Sequence, residues 1–177
     1  MAADPIADLI EKFTAEREAL IARALTLDER AAEHRRPEKT GEEGWSPKEQ
    51  LAHVGLSEAM YRRVVERALA EETPDVSIEW DRGRYDSSVR FPIARAHETT
   101  VADLIEQAAA QRETTLKLLQ SLKPADLERT ASTTFFGTLN VAQWVRSLYR
   151  HDRMHAAQVV GLEPDYQPRT IARREGS

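Results

Sequence analysis

The sequence contains no cysteine. No disulfide can form, and thiolate is excluded both as a nucleophile and as a metal ligand. Any bound metal must therefore rest on imidazole, carboxylate or water. Positive charge is in deficit: 25 Lys and Arg stand against 30 Asp and Glu, a formal net charge of −5. That balance, without a basic patch, argues against nucleic acid or an anionic membrane as partner. No apolar run approaches the roughly 18 residues needed to span a bilayer. The opening MAADPIADLIEKF places acidic residues early and lacks the charged-then-apolar pattern of a secretory signal. A cytoplasmic protein is the expectation. Internal repeats and low-complexity tracts are also missing.

What remains is a chain of 177 residues, 41% apolar and 31% charged. This suits one soluble globular domain with a charged surface, expected over residues 1–163 with a loosely held tail at 164–177. Four amphipathic helices are predicted. The first runs from Pro5 to about Leu25, with Asp4 as N-cap and Pro5 in the first helical position. Its apolar face is Ile6, Leu9, Ile10, Phe13, Leu20, Ile21 and Leu25, interrupted at Glu16, Arg17 and Glu18. A charged linker with a short helical turn at its start follows, to Gly44. The second helix opens on Ser46-Pro47-Lys48-Glu49, a capping box, and runs to about Ala70. The third covers about Val101 to Leu122, and the fourth Asn140 to Gly161, where glycine closes it. The stretch from Glu71 to Glu98 reads as a long irregular connector punctuated by Trp80, Tyr85 and Phe91, and Thr130 to Leu139 as a loop or short hairpin. A connector this long is a functional loop or a crossover. As a crossover it lets the third helix run parallel to the second.

The fourth helix carries the most informative pattern. Val141, Trp144, Val145, Leu148, Val159 and Leu162 recur at helical spacing. Between them the same stripe holds His151 and His155, with Asp152 beside them. Two histidines four residues apart project from one face and can reach a single ion. His53 lies about two turns into the second helix. If that helix is antiparallel to the fourth, all three rings come to one level. Three histidines from two facing helices, with coordination positions left open, are the arrangement of a catalytic or labile metal site. Asp152 is expected in a structural pairing with an arginine, Glu49 in its cap and Gln158 in polar packing, while Ser57, one turn after His53, is only a minor candidate for contact with bound water. Arg84, Arg90 and Arg95 are candidates to receive an anionic cofactor. His34 and His97 read as solvated.

Three segments together carry a family resemblance: WSPKEQLAHV (Trp45 to Val54), GTLNVAQWV (Gly137 to Val145) and RHDRMHAAQV (Arg150 to Val159). The chain resembles the DinB/YfiT-like superfamily of metalloenzymes from its first helix to Val160. The resemblance implies an all-α, up-down-down-up four-helix bundle with a long crossover between helices two and three. It also implies a divalent ion held by His53, His151 and His155, and a homodimer. Characterised relatives include bacillithiol- and mycothiol-dependent transferases and a mycothiol-dependent maleylpyruvate isomerase.

Zn²⁺ is the first expectation for the ion, with Ni²⁺, Fe²⁺ or Mn²⁺ as alternatives. Such an ion brings a bound water or thiol toward ionisation at neutral pH. Lacking cysteine, the chain would take its thiol from a low-molecular-weight cofactor. The leading expectation is thus a thiol-dependent S-transferase acting on a small molecule. A metal-dependent hydrolase comes second, and a non-catalytic metal-binding or stress-response bundle is the rival from another class.

Overall fold

Each long helix begins on a side chain that satisfies one of its free N–H groups. In a computed structural model, which describes residues 4–171, α1 (Pro5–Ala24) starts on Asp4, whose carboxylate accepts from Ile6 N–H at 3.0 Å. After the short α2 (Glu29–Ala32) and a 3₁₀ turn over Gly41–Gly44, α3 (Pro47–Ala70) opens on the capping box. Ser46 Oγ accepts from Glu49 N–H at 3.2 Å, and Glu49 Oε2 accepts from Ser46 N–H at 2.8 Å. The connector is not irregular as expected. It contains α4 (Ser77–Tyr85), α5 (Phe91–Ala94) and a 3₁₀ turn at Ala96–Glu98. Mixed charges in α4 hide its apolar side, which is little more than Trp80 and Gly83. Next come α6 (Val101–Ser121), capped by Thr100, and α7 (Val141–Gln158), on which Asn140 and Gln143 form a second two-way capping box.

The apolar clusters give the helix directions. Leu20 late in α1, Val54 early in α3, and Ala156 and Val159 at the end of α7 pack together. Ala24 and Leu51 do the same with Val101 and Leu104 at the start of α6. At the other end, Leu9 and Phe13 meet Val64, Val65 and Ala68, Leu119 and Leu122, and Val141, Trp144 and Val145. Helices α1 and α7 therefore run one way, α3 and α6 the other: an up-down-down-up four-helix bundle. Among the described residues no helix is long and apolar enough to cross a membrane.

A small hairpin precedes α7. Strand β1 (Thr130–Thr133) pairs antiparallel with β2 (Gly137–Asn140), and Thr133 faces Gly137. Gly137 has φ +75°, the left-handed residue that closes a three-residue hairpin loop. Ser132 exchanges backbone hydrogen bonds with the start of the crossover, to Pro74 C=O and from Val76 N–H, both at 2.9 Å. The hairpin and α4 are thereby locked together over one end of the bundle.

The end of α7 departs from expectation in one respect and agrees in another. Gly161, φ +78°, lets Leu162 N–H reach Ala157 C=O and its own N–H reach Gln158 C=O, the double bond of a glycine-terminated helix. Leu162, counted on the apolar stripe, lies past that turn and is 57% exposed. Nor is residues 164–171 a loose tail. Arg153 pairs with Asp165, Thr170 is buried, and Ile171 N–H donates to Phe135 C=O at 2.9 Å. The remainder of the expected tail lies outside the described residues.

Candidate metal centre

His53 lies two turns into α3 and His151 and His155 lie on the last turns of α7, so the antiparallel pairing brings them to one level. His151 Nε2 is the hub. It stands 3.0 Å from His53 Nε2 and 3.0 Å from His155 Nε2. Glu42, from the 3₁₀ turn before α3, completes the group: one ligand atom from each of the four residues lies within 4.8 Å of every other. Its Oε1 is 3.8 Å from His53 Nε2. Glu42 escaped the sequence reading because its approach depends on how the loop folds back, and no periodicity reports that.

Proton placement on His155 follows from a neighbour. Gln50 is fully buried, and its Nε2 donates to Glu42 C=O at 2.8 Å. This fixes the amide so that Oε1 faces His155 Nδ1 in a short hydrogen bond. Nδ1 therefore carries the hydrogen, and Nε2 offers a lone pair. One proton on His151 Nε2 cannot lie on the lines to both neighbours. At least one of the two close N···N contacts is therefore made without a hydrogen bond, and a cation held by three lone pairs would relieve both. Two Nε2 atoms held about 2.1 Å from one ion stand about 3.0–3.4 Å apart, depending on the coordination angle. The residues fit such an ion.

Burial keeps the rings neutral. It holds His151 down to about 4, with further lowering from Arg17 and Arg84 against the raising effect of Asp152. Burial first, then His151 and the arginines Arg90 and Arg84, holds His53 well below the ordinary histidine range. Burial and the two neighbouring rings do the same for His155. Neutral imidazole is the ligand form. Glu42 moves the other way: desolvation raises it while Arg84 and Arg90 oppose the shift.

Glu42, His53 and His151, but not the fully buried His155, line a cavity of about 590 Å³. Its walls come from Glu42 and Trp45, from Trp80, Arg84 and Tyr85 on α4, from the hairpin residues Phe135 and Phe136, and from 164–170. Trp80 is buried against Tyr61, Phe136 and Trp144, with ring centroids 5.0–5.5 Å away. Tyr85 stands at the rim, 69% exposed, and Phe91 is exposed and off the cavity. Trp45 meets the His53 ring edge-on, with the ring centroids 5.2 Å apart.

A pattern of the DinB superfamily matches residues 5–159. The chain belongs to the DinB superfamily. Two solved structures share the bundle. YfiT from Bacillus subtilis, described as a probable metal-dependent hydrolase with an unusual four-helix bundle topology, superposes with a TM-score of 0.71 at 13% identity, covering 99% of this chain and 90% of that one. The mycothiol-dependent maleylpyruvate isomerase superposes with a TM-score of 0.66 at 16% identity, covering 94% of this chain and 65% of the isomerase. At these identities the likeness is one of fold. No curated protein sequence matches this chain.

Within this DinB bundle the other singled-out residues take distinct places. Ser57 Oγ lies 3.3 Å from both ring nitrogens of His53. Glu49 caps α3 and pairs with Arg35 at 3.0 Å. Gln158 is buried at the cavity edge, and Arg36 donates to its carbonyl at 2.7 Å. Arg95 pairs with Glu98 away from the cavity, and His34 and His97 are exposed. Asp152 turns from the cavity into the core. Both its oxygens accept from Arg17 at 3.1 Å, and Oδ2 also pairs with Arg112. Glu58 Oε2 completes this second cluster, 2.7 Å from Arg17 and 3.3 Å from Arg112. Arg17, Glu58 and Arg112 share the signal that exposed the histidines. They occupy stripe positions, as in Leu9-Phe13-Arg17-Leu20, Leu51-Val54-Glu58-Tyr61 and Leu104-Ala108-Arg112-Leu119.

Proposed function

We propose that His53, His151 and His155 hold one divalent metal ion through their Nε2 atoms, and that the protein is a metal-dependent enzyme acting on a small molecule in the cavity above. The observation that carries this reading is the convergence of three neutral imidazoles on one point, with His155 held by Gln50 in the ligating tautomer. A divalent ion there would lower the pKa of a bound thiol or water toward neutrality.

The reaction class we favour is transfer to sulfur. With no cysteine in the chain, the nucleophilic sulfur comes from a low-molecular-weight thiol. Its thiolate forms a bond to an electrophilic carbon of the second substrate, and the displaced group leaves with the bonding electron pair. Trp45, Trp80 and Phe136 exclude water from the cavity walls, and Ser57 orients the His53 ring. Glu42 supports a second reading, hydrolysis. Its carboxylate at the rim of the cluster is placed to accept the proton of an attacking water, and desolvation raises its basicity.

Elemental analysis of the untagged protein, purified without chelator and after reconstitution, tests the centre. Near-stoichiometric divalent metal that is lost in His53→Ala is expected. Absence of metal from the reconstituted wild type would overturn the reading. Loaded protein is then assayed with thiols plus electrophiles and, separately, with esters and amides.

A further inference from the structure

The cavity lining carries, in Arg84, a cation with no ion-pair partner among the described residues. Arg84 Cζ lies 3.8 Å over the Phe135 ring, so one face of the guanidinium is covered. Its Nε is buried and makes no hydrogen bond, and no carboxylate lies within ion-pair distance of the group among the described residues. The buried arginines Arg17 and Arg112, by contrast, are both paired. Arg84 is also held in place. Its carbonyl accepts from Arg90 Nη1 at 2.6 Å. The preceding Gly83 lets α4 sit so close to α3 that a Cβ there would fall 2.2 Å from Met60 Sδ. A braced guanidinium with an unused edge is a recognition group.

We propose that Arg84 anchors a carboxylate of the ligand, and that the substrates of this cavity are small carboxylates whose reacting end lies at the histidine cluster. The second half rests on the metal-dependent reading above; the anchor itself does not. Stacking on Phe135 covers one face of the guanidinium and Nε is shut from solvent, so the two terminal Nη atoms are the donors offered in the guanidinium plane, and a planar carboxylate matches that pair. Glu42, which lines the same cavity, disfavours a doubly charged phosphate.

The anchor is tested on the ¹⁵N-labelled, metal-free protein. The Arg84 Nε–H signal, assigned by its loss in Arg84→Lys, is followed during titration with propionate, propionamide and methylphosphonate. Propionate should shift it saturably and bind about tenfold more tightly than propionamide, with methylphosphonate weaker than propionate. No shift, equal affinities, or tighter methylphosphonate would overturn the assignment. The placement of the reacting end is tested on Co²⁺-loaded protein by thiolate-to-metal absorption. 3-Mercaptopropionate should be preferred over 3-mercaptopropionamide by about tenfold. That preference should vanish in Arg84→Gln while cobalt uptake persists. A preference that survives in Arg84→Gln would overturn the proposal. Failure of the wild type to take up cobalt would overturn the placement at the histidines, with the propionate titration still deciding the anchor.

Discussion

Arg17, Glu58, Arg112 and Asp152 close on one another in the bundle core, whereas one residue along α7 the His151 ring belongs to a cluster that does not close. The core quartet balances two cations with two carboxylates. Arg17 spends its remaining Nη1 on Ala108 C=O at 3.0 Å, and Arg112 spends Nη1 on Phe13 C=O at 2.7 Å. Arg112 also stacks on Phe13, 3.4 Å from the ring centroid. Glu58 Oε1 and Arg112 Nε are the two atoms of the quartet left without a partner. The histidine cluster is the reverse: acceptors converge, charge is suppressed, and a cavity opens above. Buried polar groups that satisfy one another hold a fold together. Groups that present like atoms to a common point are arranged for something from outside.

The largest effect should come from breaking the closed cluster. Asp152→Ala leaves two buried guanidiniums sharing one carboxylate, and should destabilise the protein by about 3–5 kcal/mol in denaturant unfolding. A stability loss under 1 kcal/mol would mean that the quartet is not closed in solution. Acid should act on the open cluster. In the metal-free protein His151 is held at about 4 against 6.5 when unfolded. Below pH 6.5 the unfolded chain binds a proton that the folded ring refuses. Stability should be level above that pH and fall between 6.5 and about 4, by about 3 kcal/mol from this ring. His151→Gln should remove that part of the slope, which urea midpoints measured across the range would show.

Smaller effects separate the two clusters further. Gln50→Leu frees the His155 tautomer, and should weaken metal binding by about 10–100-fold with little change in the quartet; competition with a chromogenic chelator measures it. Gly83→Ala drives a methyl group against Met60, a flexible side chain lining the cavity, and should cost about 1 kcal/mol in thermal unfolding. Metal uptake should be untouched, since α4 supplies no histidine.

The bundle was legible because its signals are local. The capping pairs at Ser46–Glu49 and Asn140–Gln143, the terminating Gly161 and the apolar stripes act within one or two turns of helix. The histidines were legible for the same reason, as polar rings on a core stripe. Glu42 and Gln50 were not. One sits on a loop whose fold-back brings it to His53; the other reads as an ordinary polar residue in the first turns of α3 and takes its role from His155, 105 positions away. The quartet was half legible. Asp152 was expected to pair with an arginine, but Arg17 was taken as an interruption of the stripe. It becomes intelligible only when Glu58 and Arg112 interrupt theirs at the same level. Helix α4 was missed because it buries only Trp80 and Gly83.

The topology of α3 against α7 also governs when the cluster can exist. His53 and His151 are 98 positions apart along the chain, and their contact is among its long-range pairings. The pair on α7 can form with that helix alone, but the third ring arrives only once the crossover, α6 and the hairpin are in place. A nascent or nicked chain therefore presents two rings at most. High-affinity capture of an ion would thus report completed folding rather than initiate it.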